Sequence, residues 1–225
     1  MSEKKYVIIA AGGYGARMQS AIPKQFMLLA GVPVIVHTII SFATVWPDAA
    51  IIVVLPGDEQ ERWEKIRKKH LKKINISSVS GGATRFHSVK NGLKQVKEKG
   101  IVAVQDACRP FANEKLLMSC LEAVMEKGNA IPAIDIKDSI REVVKDGSRH
   151  RNRMRFKAVQ TPQCFDATVL KNAYRQTFSE SFTDDASVVE AAGTRIHLVE
   201  GDPGNFKITT HFDLLLAEKI MKCDS

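Results

Sequence analysis

Between Glu3 and Asp48 the chain has no acidic residue. Arg17 and Lys24, seven positions apart with Pro23 between them, therefore have no counter-charge nearby in sequence. Other absences narrow the field. No apolar run reaches the ~20 residues that a membrane-spanning helix needs, so no membrane span is expected. The short apolar stretch at the N-terminus could imitate a signal peptide, but it runs straight into glycines and then charge, which places the chain in the cytoplasm. The 4 cysteines (Cys108, Cys120, Cys164, Cys223) form no C-x-x-C pair and the 6 histidines no H-x-x-x-H pair, so no structural zinc is expected. Cys108 reads either as a low-pKa nucleophile beside Arg109 or as a small residue packed beside a site. There is no internal repeat and no low-complexity tract.

The chain has 225 residues, which suits one domain or one domain with an appendage, and needs no disulfide staple. Its 33 basic and 25 acidic residues leave a net charge of +8. That charge suits nucleic acid and small phosphorylated substrates equally, so its distribution must decide.

Tyr6 to Ala11 is a short apolar run rich in branched residues and reads as a buried strand. It ends in Gly12, Gly13 and Gly15, where backbone can turn sharply or approach a ligand closely. A strand, a glycine turn and uncompensated cations suit an anion with several oxygens, such as a polyphosphate; the competing reading is a basic surface turn. Two familiar phosphate motifs are excluded. A dinucleotide fingerprint needs a third glycine where Met18 stands, and a P-loop needs Gly-Lys-Ser/Thr where Lys24 sits between Pro23 and Gln25.

Downstream, apolar strands alternate with helices. A helix is predicted from Pro33 through Val45, a strand over Ala50–Leu55, and a helix from Asp58 to Leu71 with Asp58 and Glu61 as its caps. A weaker strand over 76–79 precedes a helix over 85–96. Then come strand 101–105, an amphipathic helix over 114–127 with Leu117, Leu121, Val124 and Met125 on one face, and strand 130–134. Such alternation argues for a mostly parallel sheet covered on both faces. From Asp135 the pattern changes. Asp146-Gly147 between strand-like runs signals a hairpin, and Arg149, Arg151, Arg153, Arg155 and Lys157 alternate so that an extended strand would place all of them on one face. A charged edge strand, a nucleic-acid surface and a hairpin pairing with another subunit all remain open. Further elements are predicted as helices over 166–178 and 183–193, a strand over 195–200, and a last helix opened by a Thr210–Asp213 capping box.

In open parallel sheets ligands bind beyond the carboxyl ends of the strands. The polar clusters fall there: Gly12 to Lys24, Gly81 to Arg85, and Asp106 to Arg109. Asp106 could hold a ribose hydroxyl or a magnesium ion, or merely cap the turn before Pro110. Lys207 is a further candidate cation. Several cations with one or two acids suit nucleotidyl or phosphoryl transfer, where positioning and charge stabilisation dominate.

Taken together, AAGGYGARM…PKQ, GGATRFHSV, VQDACRP, TPQ, TDDASVVE and LVEGDPGNFKIT resemble the 2-C-methyl-D-erythritol 4-phosphate cytidylyltransferases, in the same order over nearly the whole chain. The resemblance implies an α/β fold: a single Rossmann-like nucleotidyltransferase domain over 1–225, with a protruding β-arm at 136–160 that makes a homodimer. It implies CTP and methylerythritol phosphate as substrates and Mg²⁺ or another divalent cation as cofactor, with no nucleic acid and no membrane partner. By motif, Arg17 and Lys24 would stabilise charge on the attacked phosphate. Ala10, Ala11, Gly12, Gly13 and Gly15 would wrap the CTP, with Gly82 and Ser88 near the cytosine. Asp106 would lie near ribose and metal. Arg109, Ser139, Arg153, Thr161 and Lys207 would hold the alcohol phosphate, Arg153 reaching in from the partner's arm. The chain departs from the usual pattern at Gly13-Tyr14 (one residue is commoner), Ala83 (often acidic), Gln105 (usually His), Cys108 (frequently Ala) and Ser139 (Thr). Rival readings are a ribitol 5-phosphate cytidylyltransferase, a basic RNA-binding protein and, opposed by the missing fingerprint, a dehydrogenase.

Overall fold

The computed structural model describes residues 3–12 and 22–223. The N-terminal half alternates strand and helix: β1 (Lys5–Ala10), a small β2–β3 ribbon (Leu28–Leu29, Val32–Pro33), α1 (Val34–Val45), β4 (Ala50–Leu55), α2 (Gln60–His70), β5 (Ile76–Ser80) and α3 (Arg85–Leu93). Then follow β6 (Ile101–Asp106), α4 (Glu114–Lys127) and β7 (Asn129–Asp135). A hairpin of β8 (Ile140–Val144) and β9 (Gly147–Arg151) precedes β10 (Lys157–Val159), β11 (Gln163–Asp166), α5 (Ala167–Ala173), α6 (Asp185–Ala191), β12 (Leu198–Glu200) and α7 (His211–Cys223).

The main sheet runs β10-β7-β11-β6-β1-β4-β5, with β12 beside β7. β1, β4, β5 and β6 are mutually parallel, while β10 and β11 run against their neighbours. The sheet is therefore mixed but mostly parallel. Alternation along the strands sorts the core into two layers. Val7, Ile9, Ile51 and Val53 pack against α1, α2 and α4 on one face. Tyr6, Ile8, Ile52 and Val54 pack against α3, α5 and α6 on the other. Covering both faces is what makes these strands continuously apolar. Among the described residues no helix is long and apolar enough to cross a membrane.

Several boundaries differ from the expected ones, each for a local reason. A short helical turn over Gly57–Glu59 precedes α2, so the cap position falls on Glu59, whose side chain makes no cap bond, rather than on Asp58. Met125 is exposed, and the buried face of α4 runs through Leu116, Leu117, Cys120, Leu121 and Val124. Gly92 lets α3 lie against Ile8 and Val54, where a Cβ would meet their methyls at 3.0 Å, and α3 stops one residue later. α5 ends at Ala173 because Phe178 and Phe182 turn back to pack around the Phe86 ring. β12 starts only at Leu198, since the Asn129 side chain takes the backbone before it, donating to the Arg195 carbonyl and accepting from His197 N–H. The Thr210–Asp213 capping box forms as expected, with Thr210 N–H donating to the carboxylate at 2.8 Å and Asp213 N–H to the hydroxyl at 3.2 Å.

The basic ladder is broken. β8 and β9 pair as a separate two-stranded sheet that ends at Arg151, opposite Ile140. Arg153–Arg155 then form a short helical turn capped by the Asn152 side chain, and Lys157 returns to pair with Asp135 of β7. The expected single face of five cations does not exist, because a helical turn rotates the side chains that strict alternation would have aligned.

Candidate functional site

The register of β1 and β6 sets Ala10 directly beside Asp106 at the carboxyl edge of the sheet. Three connections converge on this edge. After β1, Ala11 N–H donates to Val54 O at 2.9 Å. The fully buried Gln25 donates its side-chain amide to Ala11 O at 2.8 Å, tying the Pro23–Gln25 segment back to the strand end. After β5, Gly81 N–H donates to Leu55 O at 2.7 Å and Gly82 N–H to Ser88 Oγ at 3.0 Å, folding this loop over the first turn of α3. A Cβ on Gly82 would lie 2.5 Å from His87 Cβ, so the close approach requires glycine there. Thr84 caps α3 by accepting from His87 N–H.

Between these loops lies a cavity of about 340 Å³. Ala10, Ala11, Gly12, Lys24, Gly82, Ser88, Asp106 and Lys207, all anticipated as site residues, line it. A second chamber of about 180 Å³ adjoins it and is lined by Arg109 and Thr161 among others. Asp106, Lys207 and Arg85 border both. Lys207 reaches the junction from far along the chain because the buried Ile208 donates its N–H to Cys108 O at 2.8 Å and packs with Leu214 and Ala217 of α7.

Asp106 is the electrostatic centre. Its Oδ2 lies 3.0 Å from Lys207 Nζ and accepts from Arg109 Nε at 3.3 Å. Its own N–H donates to Thr161 Oγ1 at 3.0 Å, and Thr161 O accepts from Asn205 at 2.8 Å. Arg109 is braced by a further bond from Nη1 to Asn205 O at 2.7 Å. Burial alone would raise the Asp106 carboxyl, but Lys207, then Arg85 and Arg109, outweigh it and hold the group at about 2. It is therefore a carboxylate at any physiological pH. Burial pushes the Cys108 thiol up to about 11, which removes the low-pKa nucleophile reading and leaves Cys108 a packed neighbour of the cavity.

Not every anticipated residue joins the cavities. Ser139 and Arg153 lie just before and just after the β8–β9 hairpin and line neither chamber; Arg153 is exposed and donates to the Lys137 carbonyl. Arg17, Gly13 and Gly15 lie outside the described residues. The site also holds residues that the sequence reading did not assign. Arg85 donates from Nη2 to Asp185 Oδ2 at 2.5 Å, and the fully buried Asp185 accepts from the Tyr174 hydroxyl at 2.6 Å. Gln160 and Gln163, flanking Thr161-Pro162, anchor the second chamber by bonds to the Asp202 carbonyl and the Asp184 side chain. The signal for Arg85 was its position in GGATRFHSV; the acid that fixes it stands 100 residues away.

As a metal centre the site is sparse. Among the described residues there is no group of three or more His, Cys, Asp or Glu able to cage a cation. Asp106 offers one carboxylate, with Oδ2 shared by two cations. A single carboxylate fits an octahedral, hydrated ion whose other ligands are substrate phosphates, not an ion held by protein alone.

The family model for IspD, 2-C-methyl-D-erythritol 4-phosphate cytidylyltransferase, matches residues 5–223. A curated relative of that name from Phocaeicola vulgatus is 44% identical over 217 residues, covering 96% of this chain and 99% of its own. Another from Bacteroides fragilis is 46% identical over 215 residues, covering 95% and 98%. Among solved structures, a 4-diphosphocytidyl-2C-methyl-D-erythritol synthase from Anaerococcus prevotii superposes with a TM-score of 0.84 at 28% identity over 98% of this chain and 96% of that one. A 2-C-methyl-D-erythritol 4-phosphate cytidylyltransferase from Thermus thermophilus does so with a TM-score of 0.78 at 30% identity over 99% and 100%.

Proposed function

The chain belongs to the 2-C-methyl-D-erythritol 4-phosphate cytidylyltransferase family, and from that premise we propose which residues carry each part of the reaction. The enzyme joins CTP to 2-C-methyl-D-erythritol 4-phosphate in isoprenoid precursor synthesis. A phosphate oxygen of the alcohol attacks the α-phosphorus of CTP, the bond from that phosphorus to the β-phosphate oxygen breaks, and pyrophosphate leaves with the electron pair. The products are 4-diphosphocytidyl-2-C-methyl-D-erythritol and pyrophosphate.

The observation that carries the assignment is the pair of adjoining chambers sharing Asp106 and Lys207. We place CTP in the larger one, its phosphates against the backbone of Ala10 to Gly12 and on through Gly13 and Gly15, its base against Gly82 and Ser88. The alcohol phosphate takes the smaller one, against Arg109, Thr161 and Lys207. Lys24 and Arg17 act where charge develops on the α-phosphate, and fixed cations in such a site stabilise the transition state more than the ground state. Asp106 stays ionised and would hold the ribose or a divalent cation. When bound, that cation would neutralise charge on the CTP phosphates, and the place of the Asp106 carboxylate at the junction of the two chambers supports a role as its protein ligand.

Residues 136–160 form an arm inserted in one nucleotidyltransferase domain. Arg153 and Ser139 lie on that arm, outside the chambers of their own chain, which supports their serving a neighbour's site in a homodimer. The protein would then work as a cytoplasmic dimer without nucleic acid.

Pyrophosphate release, measured with each nucleoside triphosphate against methylerythritol phosphate and ribitol phosphate, tests the reading. Turnover of CTP with methylerythritol phosphate is expected. UTP is expected to be poor, because cytosine and uracil present opposite hydrogen-bonding groups at two positions, N3 and the exocyclic group on C4, and a fixed site leaves groups unpaired with the wrong base. Turnover with ribitol phosphate alone would transfer the assignment to that alcohol, and no release in any combination would refute it.

A further inference from the structure

One cation at the junction has no part in the roles above. Arg85, the first residue of α3, borders both chambers. Its Nη2 donates to Asp185 Oδ2 at 2.5 Å, while Asp185 Oδ1 accepts from the Tyr174 hydroxyl at 2.6 Å. Asp185 has no exposed surface, and Tyr174 is buried behind it, lining neither chamber. A carboxylate with both oxygens engaged out of water holds its partner in one orientation. A guanidinium has five N–H donors in a rigid fork. Asp185 is the acceptor recorded for Arg85 among the described residues, so donors remain at the cavity wall for a ligand.

The position of the anchor says which chamber those donors serve. Asp185 opens α6, whose preceding residues Thr183 and Asp184 wall the smaller chamber and not the larger. The Asp184 carboxylate there is already engaged, accepting from Gln163 at 2.8 Å and from Ser187 N–H at 2.8 Å. Arg109 and Lys207 on the same wall are both drawn to Asp106. We propose that Arg85 is a further substrate-binding residue, whose free guanidinium N–H groups hold the phosphate of the alcohol substrate in an orientation set by Asp185 and Tyr174. This rests on the reading of the smaller chamber as the alcohol-phosphate subsite. Because Asp185 already balances the charge, the contribution is directional hydrogen bonding, and a lysine of equal charge cannot supply it.

The test compares Arg85→Lys and Tyr174→Phe with the wild type, after thermal melting has verified folding. Calorimetry follows methylerythritol phosphate binding to protein holding a non-transferable CTP analogue, and steady-state pyrophosphate release gives KM for each substrate. Arg85→Lys is expected to weaken the alcohol phosphate roughly tenfold to a hundredfold, the range for charge-assisted hydrogen bonds, and to leave KM for CTP within about twofold. Tyr174→Phe, which touches no substrate, is expected to weaken it about two- to tenfold in the same direction. Normal alcohol-phosphate affinity in either variant, or a loss falling on CTP instead, would overturn the proposal. Wild-type protein that bound methylerythritol phosphate but released no pyrophosphate would sink the proposed function, while the calorimetric comparison would still judge Arg85. Wild-type protein that bound no alcohol phosphate would sink both.

Discussion

Replacing Lys207 by methionine tests the electrostatic centre most directly. Asp106 is held at about 2 where an ordinary aspartate titrates near 3.8. Each tenfold change in proton affinity is worth about 1.4 kcal/mol, so the carboxylate contributes on the order of 2 kcal/mol to stability at neutral pH. The folded pKa is the lower one, so this contribution is complete above about pH 4 and fades as pH falls toward 2. Lys207 is the largest opposing charge; without it Arg85 and Arg109 offset less of the burial, and the carboxyl binds its proton more readily. Lys207→Met should therefore cost about 1–2 kcal/mol at pH 7, and the gap from wild type should shrink as both proteins are acidified toward pH 3. Urea denaturation at pH 7, 4 and 2.5 measures it, since the gap closes only as pH falls through the folded pKa values. A gap as large at pH 2.5 as at pH 7, or no gap at pH 7, would refute the assignment of Asp106 as an ion held by Lys207.

Arg17→Ala and Lys24→Ala are each expected to lower kcat by about 10²–10³ while changing KM for CTP far less, as for lost transition-state donors; near-normal kcat with raised KM would remove that role from the residue concerned. Gly82→Ala, which would set a Cβ 2.5 Å from His87 Cβ, should raise KM for CTP by displacing the loop beside the base, and unchanged steady-state kinetics would show the loop to be irrelevant there. Arg153→Ala should raise KM for the alcohol phosphate and spare CTP binding. Mixed with an Arg17→Ala chain under verified subunit exchange, it should regain activity, since one of the two sites in a heterodimer carries neither defect; a mixture as inactive as its parents would return Arg153 to its own chain.

Legibility in the sequence followed the range of the force involved. Strand β4 and helix α4 fall where apolar runs and periodicity put them, because burial on a two-sided sheet is written residue by residue in the strands themselves. The ends of α5 and β12 were not legible, since each is set by a partner distant in sequence: Phe86 for the turn after Ala173, Asn129 for the backbone before Leu198. The arm shows the same limit. Strict alternation of Arg149 to Lys157 encodes a strand, but Asn152 caps a helical turn in its middle, and a cap is a single-residue signal that periodicity conceals. In the site, residues next to a glycine or at a strand end could be picked out from local pattern. Asp185 could not, because a buried acid at a helix start looks like an ordinary capping-turn residue until Arg85 is placed against it.

The charge pattern with which the sequence begins acquires its meaning only in three dimensions. The first acid after Glu3 is Asp48, and it is bound by Lys5 at 2.9 Å, on the strand that leads into the glycine turn. Asp106 is bound by Lys207 and Arg109, and Asp185 by Arg85. The carboxylates that balance the site cations Lys207, Arg109 and Arg85 thus come from elements other than the first loop, and Asp106 and Asp185, unlike the exposed Asp48, sit where burial strengthens their pairing. A site built in this way is rich in oriented donors but modest in net charge. Recognition by oriented donors discriminates between phosphorylated ligands by geometry, whereas a field of unpaired cations would attract any polyanion and lose its grip steeply with salt. The net charge of +8 therefore overstates how basic the chambers are. Among the described residues Lys207, Arg109 and Arg85 are fixed by carboxylates, an arrangement that suits a transfer between two small phosphorylated substrates.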